Sequence, residues 1–408
     1  MINLVEELKR LVRIKSEVKI QDSKVIRLNY EEAANAVAEL AERAGLSVEE
    51  KRLITKDGYE IPTIIASIKG KGPTIAFVSH YDVIPAKGPW MVEGRELDPY
   101  KPIIIDGKLY GRGAADDKSA IVASIAAFGE LLSENQELSF KPTIVVTGDE
   151  EIGGYGIRAL LEAGYRWDKV VILDAGAEYV SIGASGVIHG WIEVEGKAGH
   201  AGYPHFSVNP VENLVFFLNK WIEEYKPIRT SKISNLASPP NSPISKLWGR
   251  ISVTIIGLGK DDEPKHNRIP SKAIAGFDVR LIPEEDLETA LNEIYSSFVK
   301  IQSLTGIKTN LKIVGYQRGW YAKDQELINR ALLASKRAYE KVGYDPSKIY
   351  VAGELGGNDG TFFDMKNIPV IAFGAIRDDC NIHAPGEFVY IKDVEMLKEF
   401  VKGLLTIR

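Results

Sequence analysis

Four short apolar runs punctuate the chain, at 74–79 (TIAFVS), 143–147 (TIVVT), 170–173 (VVIL) and 369–373 (PVIAF). Each is bounded by turn residues. Runs of this length, rich in β-branched side chains, suit strands buried on both faces, which predicts a mostly parallel sheet covered by helices. Helical spacing alternates with them at 31–44, 119–133 and 324–342, and an amphipathic helix opens the chain around Val5, Leu8 and Val12. That alternation predicts an α/β layered domain. Between 186 and 304 the period changes. The stretches 187–194 (VIHGWIEV), 251–256 (ISVTII) and 273–281 (AIAGFDVRL) alternate as half-exposed antiparallel strands do, with helical patterns near 210–225 and 285–302. An α+β domain of ferredoxin-like type fits this stretch. Because PVIAF follows it, the middle domain is inserted: residues 1–185 and 305–408 form the two parts of the α/β domain, and 186–304 form the insertion. The Ser- and Pro-rich stretch 228–246 reads as a long mobile loop within it.

In parallel sheets ligands bind beyond the carboxyl ends of the strands. TIAFVS is followed by His80-Tyr81-Asp82, TIVVT by Gly148-Asp149-Glu150-Glu151, VVIL by Asp174, and PVIAF, after a short loop, by His383. A further pair, Asp116-Asp117, stands just before a helical stretch. Taken singly, an Asp after a strand is an ordinary helix cap and a lone His a hydrogen-bonded loop residue. Taken together, they are charges that repel one another unless cations sit between them. The pattern alone leaves both readings open. Imidazole and carboxylate without thiolate suit Zn²⁺, with Co²⁺ or Mn²⁺ as substitutes. Asp82, two residues after His80, is placed to orient the imidazole, as a carboxylate beside a ligating His usually does.

Composition narrows the classes. Hydrophobic residues make up 45% and charged residues 26% of the 408, enough to bury a core. Acidic side chains exceed basic ones by 56 − 51 = 5, and without Lys/Arg blocks no electrostatic footprint for nucleic acid or anionic lipid is expected. Cys380 is the only cysteine, which excludes an internal disulfide and a cysteine-rich metal site and favours a reducing compartment. Charges interrupt the first apolar residues, and no apolar stretch reaches the length of a membrane span, so a cytoplasmic protein is expected.

Seven segments carry a resemblance that runs from near the start to near the end: SHYDVIP (79–85), YGRGAADDKS (110–119), TGDEEIGG (147–154), LDAG (173–176), GKAGHAGYPHFSVNP (196–210), NRIPSKAIAGFDVR (267–280) and NIHAPGE (381–387). In their order the chain resembles the zinc-dependent amidohydrolases and metallopeptidases that include succinyl-diaminopimelate desuccinylase, acetylornithine deacetylase, aminoacylase and glutamate carboxypeptidase. The GHAGYPHFSVNP stretch is most similar to the desuccinylase. The resemblance implies two Zn²⁺ ions, His80 and Asp174 holding one, Glu151 and His383 the other, with Asp116 bridging. It makes Glu150 the general base and Asp82 its catalytic companion, and places Asp117 after a cis peptide bond. His200 would donate to the oxyanion, often from the other subunit of a dimer formed by the inserted domain, which would act as a lid. Asn267 and Arg280 would bind the substrate α-carboxylate; the lesser alternative for Arg280 is an ordinary salt bridge with Asp278 or another acid. Gly357 lies in the glycine-rich loop near the substrate. His205, His189 and His266 have no catalytic role in this reading. Two departures stand out: Ser119 where the family has Gly after the motif Lys, and Gly386 before Glu387 where Asn or Asp is common.

The resemblance implies a hydrolase of N-acylated amino acids of the desuccinylase or deacetylase type. The alternative is a dipeptidase or carboxypeptidase acting on short peptides, since both bonds share the chemistry. A non-catalytic amino-acid- or metal-binding protein on the same scaffold would predict loss of Glu150 or a ligand, and all are present.

Overall fold

The apolar runs become four parallel strands lying side by side, in the order Val370–Ala372, Lys169–Ile172, Thr74–His80 and Lys141–Thr147. The computed structural model describes residues 2–21 and 24–407. Antiparallel strands flank the four, Glu60–Ser67 and Ser47–Ile54 on one side and Tyr179–Ala184 on the other. The central strands are buried almost throughout, as their β-branched composition requires. The helix Lys118–Ser133 (KSAIVASIAAFGELLS) is apolar on nearly every side and buried over most of its length. The helices Tyr30–Arg43, Gln325–Lys341 and Ile391–Thr406 keep one polar face. Register aligns the chemistry: Thr147 pairs with His80, and Ile172 pairs with Val78 and Ala372, so all four strands end at one edge.

The described chain divides into two compact units. One runs to Ile182 and resumes at Ala322–Ala352 and from Asn358; the other is Gly183–Tyr321 with Gly353–Gly357. The second unit is a four-stranded antiparallel sheet in the order Arg250–Leu258, Lys272–Leu281, Gly186–Glu195, Thr309–Gln317. Its long helices, Pro210–Thr230 and Leu287–Thr305, follow the first and third of these strands along the chain, which is the split β-α-β topology of ferredoxin-like folds. Alternate residues Ile188, Ile192 and Val194 meet Phe277, Val279, Phe217, Trp221 and Phe298 in one core.

Two expectations are corrected here. The second unit reaches Tyr321 rather than 304, because Thr309–Gln317 pairs along Gly186–Glu195 as an edge strand. That strand is nowhere fully buried, so no apolar run announced it. The stretch 228–246 is not a plain loop. The helix extends to Thr230 and Ile233–Ala237 pairs with Lys246–Trp248, while the Glu284 carboxylate accepts hydrogen bonds from Ser234 Oγ and Asn235 N, each at 2.8 Å.

Arg229, on that helix, has a fully buried side chain. Its guanidinium donates to Glu285 at 2.7 and 2.9 Å, to Glu293 at 3.0 Å and to the Arg280 carbonyl at 2.8 Å. Removing one partner of a buried pair leaves the other uncompensated. Arg229→Met is therefore expected to lower stability by about 3–5 kcal/mol, read by urea unfolding. A loss below about 1 kcal/mol, the range of exposed pairs, would show that the network adds nothing.

Candidate metal centre

Beyond the common edge of the four strands the side chains converge in two groups. His80, Asp116 and Asp174 form one and Asp116, Glu151 and His383 the other, with donor atoms in each within 4.8 Å of one another. Asp116 turns a different oxygen to each: Oδ1 lies 3.0 Å from His80 Nε2, and Oδ2 lies 3.0 Å from His383 Nε2. His383 Nε2 is also 3.0 Å from Glu151 Oε2, and His80 Nε2 is 3.8 Å from Asp174 Oδ2. Donor atoms about 2.0–2.2 Å from one tetrahedral cation stand roughly 3.3–3.6 Å apart, so this spacing suits a cation in each group. A second observation agrees. Among the described residues His80 Nε2 and Oδ1 of Asp116 are buried and neither makes a hydrogen bond, although the two atoms face each other. Buried polar atoms are almost always partnered, and lone pairs aimed at a common point are what a cation satisfies.

Charge points the same way. Without cations the pairing with Asp116 and Glu151 pushes His383 up to about 10. Burial opposes protonation of His80, yet Asp116 and Asp82 carry it well above the ordinary imidazole range. Burial would raise Asp116, but the same two histidines hold it well below the usual carboxylate range. The surrounding carboxylates draw positive charge to this cluster, and both histidines are raised by them.

Four supports hold the ligands. His80 Nδ1 donates to the main-chain oxygen of Asp82 at 3.0 Å, which fixes the tautomer that leaves Nε2 free to ligate. The expected orienter was the Asp82 carboxylate; its Oδ1 lies 3.3 Å from Nδ1, but the two oxygens accept the amides of Glu150 and Glu151 at 3.3 and 3.2 Å. Asp82 thus joins the loop of one ligand to the loop of another. Glu387 Oε1 accepts the amides of Ala115 and Asp116 at 3.1 and 3.3 Å, and its other oxygen pairs with Arg112 in a buried bridge. Arg112 also donates to the Ala384 carbonyl at 3.3 Å, beside His383. Lys118 Nζ, fully buried, donates to the carbonyls of Leu11 and Ile14 at 3.1 and 2.7 Å and ties the opening helix to the Asp116 loop. Asp116–Asp117 is a cis peptide. Arg112, Lys118 and Glu387 stand in motifs quoted from the sequence but carry no role there, because their partners are distant along the chain.

Glu150, next to a ligand, belongs to neither group. Burial, then the negative charges of Asp359 and Asp174, push it well above the carboxylate range. Asp359, itself buried, is pushed up to about 7. Behind this loop a Cβ on Gly148 would stand 2.8 Å from carbons of the Tyr30 and Tyr81 rings, so only glycine fits there. Gly386, the departure near His383, has φ +80°, a conformation that Gly, Asn and Asp all adopt, so the substitution keeps the turn.

In the second unit His200 and Arg268 pair across two short strands, and the Ala201 amide donates to the Asn267 carbonyl at 2.9 Å. His200 and Asn267 are exposed. The Gly202 amide donates to His200 Nδ1 at 3.0 Å, which leaves the hydrogen on Nε2. Arg280 Nε donates to Asp278 at 2.9 Å, and Asp278 also faces His189 Nε2 at 2.9 Å. The salt bridge considered for Arg280 is present. Gly357 is exposed beside the Ser185 carbonyl. The His205 ring lies against that of Phe206, tilted by 48° with ring centres 4.1 Å apart.

Comparison with known proteins shows the family of the chain. The description of peptidase family M20/M25/M40 matches residues 76–406. A succinyl-diaminopimelate desuccinylase of Sulfurovum sp. (strain NBC37-1) is 28% identical over 342 residues, covering 81% of this chain and 83% of its own. A metallo-carboxypeptidase of the M20 family from Sulfolobus solfataricus superposes with a TM-score of 0.79 at 18% identity over 100% of this chain and 99% of its own. Human carnosine dipeptidase 1 superposes at 0.75 and 20% identity, over 98% and 95%. The chain belongs to peptidase family M20/M25/M40 and is a hydrolase of that family.

Asp82→Ala removes the acceptor of two amides. The expected outcome is a loss of about 1–3 kcal/mol of stability together with roughly 10–100-fold weaker metal binding. Chelator competition and urea unfolding measure the two. Unchanged metal affinity would show that Asp82 does not link the two ligand loops.

Proposed function

We propose that this member of the family hydrolyses the amide bond of an N-acylated amino acid, of the desuccinylase or deacetylase type. The observation that carries a hydrolytic reading is the Asp116 carboxylate shared between two ligand groups, with Glu150 beside them and outside both. The identity to a desuccinylase favours the acyl-amide substrate. A second reading, a dipeptidase or carboxypeptidase, is supported by the solved structures it resembles. A purely binding role fits poorly with a complete ligand set and an unspent carboxylate.

In this reading His80 and Asp174 hold one divalent cation, Glu151 and His383 a second, and Asp116 bridges them; the donor set suits zinc, with cobalt or manganese as substitutes. When bound there the cations supply Lewis acidity for the amide carbonyl and for water. Glu150 takes a proton from the attacking water on its carboxylate and later gives it to the leaving nitrogen. Its raised proton affinity suits a group that must accept and then deliver. Asp82 keeps Glu150 and Glu151 in place through their amides. His200 offers Nε2–H to the developing oxyanion, and the Gly202 amide fixes that tautomer. Arg280, with Nε held by Asp278, presents its remaining N–H groups to the substrate carboxylate, and Asn267 and Gly357 complete the proposed substrate-binding set. We further propose a homodimer through the inserted unit, in which His200 serves the partner's site, and a cytoplasmic location.

A panel of N-succinyl amino acids, N-acetyl amino acids and dipeptides, assayed before and after chelation, tests the reading. Turnover lost on chelation and restored by zinc is expected, with the acyl amino acids preferred. Preference for dipeptides selects the second reading, and no turnover on any arm rejects both. Glu150→Gln is expected to keep its metal and lose about 10²–10⁴-fold in kcat.

Asp116→Ala is expected to deplete both cations, whereas His383→Ala mainly weakens one, as metal analysis would show. Equal metal in wild type and Asp116→Ala would end the bridging assignment. Mixing His200→Ala chains with Glu150→Gln chains is expected to restore activity. A statistical mixture holds about half heterodimers with one working site each, hence up to roughly a quarter of wild-type activity. No recovery despite proven subunit exchange would reject action across subunits.

A further inference from the structure

Asp149, the residue before Glu150, has φ +66° and a side chain with no exposed surface. A buried carboxylate needs compensating charge, and it comes from Arg27, far away along the chain on the strand Lys24–Arg27. Arg27 Nε lies 3.0 Å from both Asp149 oxygens and Nη2 lies 2.6 Å from Oδ2, while Tyr30 Oη donates to Oδ1 at 2.8 Å. The guanidinium is held in turn. Its Nη1 and Nη2 donate to Asp57 at 2.8 and 3.0 Å, it lies 4.4 Å from the Tyr59 ring centre, and its side chain is 6% exposed. On its other side the Asp149 carbonyl accepts the Gly154 amide at 2.8 Å, closing the short turn that contains Glu150 and Glu151.

We infer that Arg27 is a positioning residue for the reaction: through its fork on Asp149 it fixes the backbone from which Glu150 reaches the substrate. The inference rests on Glu150 being the general base. The amides of Glu150 and Glu151 are held by Asp82 on one side. Asp149 is the corresponding hold on the other, so the turn is clamped at both ends. Without Arg27 the Asp149 carboxylate is left with Tyr30 as its side-chain donor, and a buried carboxylate without its guanidinium moves toward water. That movement turns the next residue. The ligand Glu151 keeps its own amide bond to Asp82 and its pairing with His383, so metal binding is the lesser casualty. Lysine supplies the charge but not the planar fork, and restores the hold only in part.

The test uses the zinc-loaded full chain and whichever substrate of the panel turns over best. Arg27→Met is expected to lower kcat on the order of 10–100-fold with KM and zinc per chain retained, since a displacement near 1 Å can cost that much. Arg27→Lys is expected to fall between it and wild type. In metal-free protein, amide hydrogen exchange at 148–151 is expected to quicken in Arg27→Met, while exchange in the four-strand core stays unchanged. If Arg27→Met does not fold, Arg27→Lys decides alone: reduced kcat with KM and zinc held supports the inference. Wild-type kcat in the folded variants overturns it, as does a loss that only tracks lost zinc. Glu150→Gln runs alongside. If it is inactive while the Arg27 variants are normal, the inference fails and the base assignment stands; if it is active, both fail.

Discussion

The edge where four parallel strands stop is crowded with carboxylates, and their mutual repulsion is the constraint that the rest of the first unit answers. Asp116, Glu150, Glu151, Asp174 and Asp359 stand within reach of one another's charge, with two imidazoles as the nearest counterweights. Left to themselves such loops would splay. The Glu150–Glu151 and Asp116 loops are instead tied down from behind by bonds that leave the clustered oxygens alone: Asp82 on two amides, Glu387 on two more, Lys118 on the carbonyls that end the opening helix. The effect is to hold lone pairs at cation spacing before any cation arrives, which is how a site gains affinity and selects geometry.

That design explains what could be read in the sequence. A parallel strand buried on both faces is a local, continuous signal, and the residues just past it fall at a predictable edge, so His80, Glu151, Asp174 and His383 were visible as a group. Asp116 was visible as part of an acidic pair before a helix, and its bridging role, like the other roles, came from resemblance. Asp82 was legible too, but Glu387, Arg112 and Arg27 showed no role because their partners are long-range. Arg112 meets Glu387 275 positions away and Arg27 meets Asp149 across 122. No periodicity announces such pairs. The edge strand Thr309–Gln317 was missed for a related reason, since its side chains alternate between half-buried and exposed and carry little apolar contrast. The hairpin built on Ile233–Ala237 hid in a Ser- and Pro-rich stretch, because its anchor is the Glu284 carboxylate rather than a hydrophobic face.

The second unit repeats the logic of orientation with different groups. A carboxylate, Asp278, takes one edge of Arg280 and leaves the other edge for a planar anion, much as a main-chain oxygen takes one edge of His80 and leaves the other for a cation. The Gly202 amide does the same for His200. In each case a group that must act in one direction has its opposite side occupied, which removes the alternative tautomer or rotamer and the entropy of choosing between them.

On the proposed reading, the carbonyl of an acyl amide and that of a peptide are the same target for a cation pair and a carboxylate base, so attack on the bond itself favours neither. Discrimination must come from groups that touch what flanks the bond. Arg280 is a forked cation with one edge already committed to Asp278; in the proposed role its two remaining nitrogens would meet a carboxylate, a contact that both substrate classes offer at the amino-acid side. The acyl side is therefore where they differ: a peptide brings an ammonium there, a succinyl group a carboxylate, and an acetyl group neither. A site already rich in Asp and Glu attracts the first and repels the second unless cations or arginines outweigh it. On that reading the balance of charge around the strand ends would bear on the acyl side of the substrate as well as on the cations.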